Sequence, residues 1–165
     1  MKDKRNKKMI KNYWYHFKKI MTHKYYVFME CMEYGLIWQG LVHDLSKFRP
    51  SEFRLAKFYA GNQSPINIEK QKYGYSVSWI EHTNRNKHHW EYWVDRTNGK
   101  IAPIPEKYIK EMVCDTIAAS KAYNGKNWTP ELFLDYFKNR ATWPDEIKEL
   151  TMPYILAKIQ RYKTK

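Results

Sequence analysis

The chain reads as an all-α protein folded into one compact helical bundle. Apolar residues recur at the three- and four-residue spacing of helix faces in segment after segment. No segment alternates with the period of two that a half-buried strand needs. With 165 residues and no internal repeat or Gly/Ser linker, the whole of 1–165 is expected to form a single domain.

The elements follow in order. Residues 1–12 are a basic leader, and residues 10–21 carry Tyr13, Trp14, Phe17, Ile20 and Met21 at helical spacing. A second helix is expected from Thr22, with His23, Val27, Glu30, Cys31 and Tyr34 on one stripe and Gly35 as its break. LIWQGLVHDLSKF reads as a short apolar helix ending near Lys47. Its residues Leu36, Ile37, Trp38, Leu41 and Val42 should drive it into the core, and Leu45 should return there. Pro50 and Ser51 open SEFRLAKFYAG, with Gly61 as its stop. NQSPINIEKQKYG, rich in polar residues with Pro and Gly, reads as a loop. YSVSWIEHTNRNKHHWEYWV begins and ends helically, but Thr83, Asn84 and Asn86 in its middle leave a continuous and a broken helix both open. After the turn-rich DRTNGKIAPIP, residues 106–123 give the cleanest helix, ended by Asn124-Gly125. Thr129-Pro130-Glu131 is a helix start, and Pro144 and Pro153 divide the tail into two short pieces. Residues 126–165 read as a C-terminal helical extension.

Composition narrows the function classes. Thirty Lys+Arg against seventeen Asp+Glu leave a net charge of +13, a field that draws anions such as nucleotides or nucleic acid. No run of 18 apolar residues exists to span a bilayer, and the basic N-terminus lacks the apolar core of a secretory signal. Cys31 and Cys114, without CxxC spacing, fit reduced buried thiols of a cytoplasmic protein.

The chemistry-bearing residues are ordered along the chain. His23, His43-Asp44, His82, His88 and His89 precede Glu111 and Asp115. Imidazole nitrogens mixed with carboxylate oxygens suit Mn, Fe, Co, Ni or Zn. A His-Asp pair at the end of an apolar helix is costly to bury unless it is ligated or hydrogen-bonded. Lys47, one turn after His43, is placed to offer a point charge to an anion. Asp115 and Glu111 share a face of the cleanest helix, and small residues at 118, 119 and 122 let that helix approach another. His16, seven residues before His23, competes with it for the same face.

The order His23, His43-Asp44, Asp115, with the string HDLSKF, resembles the signature of the HD-domain superfamily of metal-dependent phosphohydrolases. HDLSKF, NRNKHHWEYW and EMVCD together also look like a family common in phage and bacterial genomes, within or near that superfamily. The resemblance covers residues 20–125. It implies a helical bundle of the HD type in which His23, His43, Asp44 and Asp115 ligate a divalent transition metal. His82 and His88 stand where some branches hold a second ion, and His89 remains an alternative there. The implied activity is hydrolysis of a nucleotide or related phosphate ester by metal-activated water. Lys47, Glu81 and Glu111 are then candidates for catalysis, and Lys47, Arg85, Lys87 and Trp90 for holding the substrate. The implied setting is the cytoplasm of a bacterium or phage-infected cell. Two other readings stay open: a di-iron oxygenase of the HD type, and a non-enzymatic basic protein that binds nucleic acid.

Overall fold

The computed structural model describes residues 2–59, 61, 63–140 and 142–164. Met1 of the leader, Ala60 and Asn62 beside the expected helix stop, Ala141 and Lys165 lie outside the described residues. Among those described there are eight α-helices, joined by short 3-10 turns, and no strand. The all-α single domain expected from the periodicity is what the chain forms.

Helix α1 (Lys2–Met32) runs unbroken for 31 residues, so the expected restart at Thr22 is corrected. Thr22 is exposed and does not interrupt a single buried stripe of His16, Ile20, His23, Val27, Glu30 and Cys31. After Gly35, helix α2 (Ile37–Val42) is shorter than expected. The chain leaves it at His43 (φ −49°, ψ 128°), and Asp44 is left-handed (φ 54°, ψ 27°) before a 3-10 turn at Leu45–Phe48. A second correction concerns its facing. Ile37, Trp38, Leu41 and Leu45 are exposed, and α2 instead presses Gly40 against α1. There a Cβ would stand 3.1 Å from Cys31 Cβ and Phe28 Cα, so only glycine allows so close an approach without a shift.

Helix α3 (Pro50–Phe53) gives way to a 3-10 turn at Arg54–Phe58. The segment expected as loop contains α4 (Pro65–Tyr73), which starts on Pro65 and stops at left-handed Gly74. Helix α5 (Val77–Arg85) is capped by the Ser76 side chain and ends at Asn86, whose backbone is extended (φ −111°, ψ 110°). Asn86 therefore decides between the two readings of this region: the helix is broken, and Trp90–Trp93 form a separate 3-10 turn.

Helix α6 (Glu106–Asn124) is the centre of the bundle. Cys114 and Ala118 on one side meet Val27 and Cys31 of α1, and both cysteines are buried free thiols. Val113 and Ile117 on another side meet Phe133 and Phe137 of α7 (Pro130–Arg140) and Ile155 and Ile159 of α8 (Asp145–Thr164). Residues 126–165 thus supply the partner faces of one of the two core clusters. Pro153 does not divide the tail as expected. It lies on the exposed face of α8, where water can satisfy the carbonyl of exposed Glu149 that loses its helical donor.

Candidate metal centre

Four elements converge beside α6. The stripe of α1 brings His23, the α2 exit brings His43 and Asp44, the segment from α5 to the next turn brings His82, His88 and His89, and α6 brings Asp115. The helical break at Asn86 is what lets all three later histidines point to one place, since adjacent residues of a helix diverge by about 100°. The left-handed backbone of Asp44 does the same for the His-Asp pair. A non-glycine residue holds that conformation only where its surroundings determine it.

The groups fall into two sets that share Asp44. In one, ligand atoms of His23, His43, Asp44 and Asp115 all lie within 4.8 Å of one another. In the other, the same holds for Asp44, His82, His88 and His89. Asp44 divides its oxygens between them. Its Oδ2 stands 3.2 Å from His43 Nε2 and 3.7 Å from His23 Nε2, while its Oδ1 stands 3.3 Å from both His82 Nε2 and His88 Nε2. Asp115 Oδ1 closes the first set at 3.0 Å from His23 Nε2 and 3.4 Å from His43 Nε2.

These contacts also have the spacing that ligands of a shared ion have. Two ligands each about 2.1 Å from a shared ion lie about 3.0–3.4 Å apart in octahedral or tetrahedral arrangements. Both Asp44 oxygens and the Nε2 atoms of His23, His43, His88 and His89 are buried and have no hydrogen-bond partner. The Lys47 ammonium on Asp44 Oδ2 and the Asp115 carboxylate beside His23 and His43 meet these six buried atoms only in part, and a cation is the group that would satisfy them together. The residues present therefore fit one or two divalent metal ions.

The outer nitrogens are occupied in the way metal-binding histidines require. Glu111 Oε1 lies 3.0 Å from His43 Nδ1 and 3.2 Å from His88 Nδ1. Glu52 Oε2 lies 2.7 Å from His82 Nδ1 and accepts from Ser46 Oγ at 3.0 Å, while Arg85 holds Glu52 Oε1 at 3.2 Å. A carboxylate on Nδ1 fixes that nitrogen as the donor and leaves Nε2 free to ligate. Electrostatics divide the rings. Burial pushes His89 well below the usual histidine range, aided by His88 and His82, and a neutral imidazole is the ligating form. Burial opposes charge on His43 too, but Asp44, Asp115 and Glu111 outweigh it and hold the ring well above its ordinary range.

A cavity of about 220 Å³ opens over the centre, lined by His23, His82, His89 and Asp115 together with Lys19 and Lys47. Lys47 Nζ lies against Asp44 Oδ2, and Asp44 and Asp115 outweigh burial to keep it charged. Of the candidates read from sequence, His23, His43, Asp44, His82, His88, Asp115 and Lys47 are brought together here. Glu111 lies behind the histidines as their buttress rather than on the cavity wall. Glu81 and Arg85 pair with each other at 3.2 Å, and Lys87 lies over the rings of Tyr92 and Tyr108; none of the three lines this cavity. His16 lines it without joining the ligand sets.

Two contributors escaped the sequence reading, and His89, the alternative to His82 and His88 there, joins them through the break at Asn86. Lys19 stands one turn before His23 on the same stripe, a signal that was legible. Glu52 reaches His82 across 30 residues, and no local pattern marks it.

Residues 12–157 match the family of unknown function DUF5662. The chain belongs to that family. The DUF5662 match spans every candidate ligand from His23 to Asp115 and continues through α7 into α8, so the tail belongs to the same unit as the centre. No curated protein and no solved structure matches the chain. Among the described residues no helix is long and apolar enough to cross a membrane.

Proposed function

We propose that the protein is a metal-dependent phosphohydrolase of the HD type, acting on a nucleotide or a related phosphate ester. The observation that carries this reading is the pair of buried ligand sets that share Asp44, opening onto a cavity with two lysines. When bound, a divalent cation supplies a water that ionises near neutral pH and positive charge for a phosphoryl oxygen.

The chain's own residues do the rest. His23, His43, Asp44 and Asp115 would hold one ion; the other oxygen of Asp44, with His82, His88 and His89, would hold a second. Glu111 and Glu52 hold the imidazoles in the ligating tautomer and orientation. Lys47 and Lys19, on the wall of the same cavity, hold the phosphate oxygens that no ion reaches. The net charge of +13 raises the local concentration of anionic substrate around that mouth.

Metal analysis of the purified protein is the first test, followed by phosphate release from a panel of nucleotides. The expected result is one or two transition-metal ions per chain, lost in the His43→Ala/Asp44→Ala double variant together with phosphate release. Protein that retains no metal, and whose stability and activity do not respond to added Mn, Co, Ni, Fe or Zn, rules the reading out. The histidine-rich second set favours one competing reading, an oxygenase with two irons. Iron content with oxygen consumption and no phosphate release would replace the hydrolase with it.

A further inference from the structure

The centre adjoins a second and larger cavity, of about 670 Å³, a volume typical of small-molecule sites. The two share Ser64, Trp79, His89, Asp115, Ala119 and Tyr123, so a molecule with one end at the centre can extend into the second. Their charges differ. The first cavity has Lys19 and Lys47 on its wall. The second has no Lys or Arg among its described lining residues, in a chain with thirty of them. Lys70 lies over the Trp79 ring at 5.2 Å but is not part of the wall. A phosphate is therefore favoured in the first cavity and disfavoured in the second.

What the second cavity offers is rings and hydrogen-bonding edges. Trp79, Trp90, Tyr123, Tyr136 and Trp143 line it. Trp90 Nε1 and Glu91 Oε2, adjacent residues on that wall, are buried and have no hydrogen-bond partner. One is an obligate donor and the other an acceptor; burial raises the Glu91 carboxyl against the pull of Lys70 and Trp79, and both atoms are enclosed in the wall, so a ligand meets them once the two side chains turn toward the cavity. A flat heterocycle with an exocyclic amine beside a ring acceptor satisfies both at once. The amine donates to the carboxylate as cytosine donates to Glu or Asp in nucleic-acid recognition, and the ring acceptor takes the indole N–H.

We propose that the second cavity is a base-recognition subsite for a nucleoside whose base bears an amino group, with Glu91 and Trp90 as its specificity-determining residues. The proposal rests on the phosphohydrolase reading for the orientation of the substrate, phosphate toward Lys47 and base toward Trp90. It excludes substrates that carry further phosphates on the base side, such as an internal position in a nucleic-acid strand.

The test uses free nucleosides with the full-length protein, so binding is read without any hydrolysis. Titration followed by tryptophan fluorescence should show cytidine, adenosine or guanosine binding at least tenfold more tightly than uridine and inosine, which lack the amine. Glu91→Gln should erase that difference. Trp90→Phe, which keeps an aromatic ring and removes the donor, should weaken binding at least threefold, with unchanged melting temperature verifying the fold of both variants. No binding of any nucleoside, equal binding of amino and non-amino bases, or discrimination that survives Glu91→Gln each overturns the subsite. Discriminating binding without phosphate release from any matching 5′-monophosphate keeps the subsite and removes the hydrolase. Phosphate release from simple esters without nucleoside binding does the opposite.

Discussion

Helix α1 carries two buried polar clusters two turns apart, and they are built on opposite principles. Around Glu30, every charge meets a partner from within the chain. Lys158 Nζ spends its three donors on Glu30 O at 2.8 Å, Glu30 Oε2 at 2.9 Å and Glu33 Oε2 at 2.8 Å. Lys121 Nζ and Tyr162 Oη then occupy Glu30 Oε1 at 2.6 and 2.5 Å. Around Asp44, which His23 meets two turns earlier on α1, acceptors and ring nitrogens face one another with Lys47 as the one lysine or arginine paired with the cluster's ligand carboxylates among the described residues. The first cluster is complete as folded and ties α1 to α6 and α8. The second holds one internal cation, Lys47, against two carboxylates and a ring of imidazoles that have the spacing to hold a metal ion. Burial alone does not tell a structural cluster from a functional one; the presence or absence of internal partners does.

The largest effect expected from breaking this contrast lies in the complete cluster. Lys158→Met leaves Glu30 and Glu33 without their shared cation and should cost about 3–5 kcal/mol of stability. Chemical denaturation measures it, and metal content per folded chain should not change. Stripping metal should act on the other cluster only. At metal 100-fold above its Kd the bound ion stabilises by about 2.7 kcal/mol, so chelation should lower the melting temperature by about 5–10 °C. Asp44→Asn should abolish that metal-dependent shift, because Asp44 serves both ligand sets. A shift that persists in Asp44→Asn would place the metal elsewhere. Removing a buttress rather than a ligand should be milder: Glu111→Gln should weaken metal affinity about 10–100-fold while leaving an ion in place at saturating concentration.

Acid acts on both clusters, since neighbouring groups hold Asp44 and Asp115 as well as Glu30 below the usual carboxylate range, and a substitution isolates the share of Glu30. Burial alone would raise Glu30, but Lys158, Lys121 and Tyr162 outweigh it and hold the carboxyl below its usual range. A carboxyl depressed in the folded state contributes stability that is present above the unfolded-state pKa of about 4.3 and lost as pH falls through the folded value. Wild-type stability should therefore decline below about pH 4, and Glu30→Gln should flatten that decline in denaturation midpoints measured across pH. An equally steep acid slope in Glu30→Gln would show that the cluster does not supply it.

How much of this was legible in the sequence follows from how local each cause is. The order of His23, His43-Asp44 and Asp115 was readable because each group sits within its own apolar stripe or helix end. The pairing of His82, His88 and His89 depends on whether Asn86 ends a helix, and there its side chain bonds Ser46 from elsewhere in the chain as well as the His82 carbonyl. Nor could the Glu30 cluster be read, since its partners stand 91 and 128 residues away. α4 was hidden because a helix can start on Pro65 and stop on Gly74 with few apolar residues between them.

Helix α2 is the sharpest failure of pattern reading and carries the smallest predicted effects. Its string LIWQGLV is apolar enough for a core helix, so Trp38 was expected inside, where truncating a tryptophan costs about 3–5 kcal/mol. The fold turns on the one residue with no side chain. Gly40 allows α1 and α2 to touch at Cys31 and Phe28, and once that face is committed the 100° step per residue puts Trp38 and Leu41 outside, while Ile37 is exposed in the first turn. Gly40→Ala should accordingly cost about 1–3 kcal/mol by overpacking a contact already at 3.1 Å. Trp38→Gln, at a side chain 71% exposed, should stay within about 0.5 kcal/mol of wild type and keep its metal. The two substitutions lie two residues apart, so their comparison reads the orientation of α2 directly. A Trp38→Gln loss as large as that of Gly40→Ala would mean that α2 buries the face the sequence suggested and would move His43 and Asp44, at its end, with it.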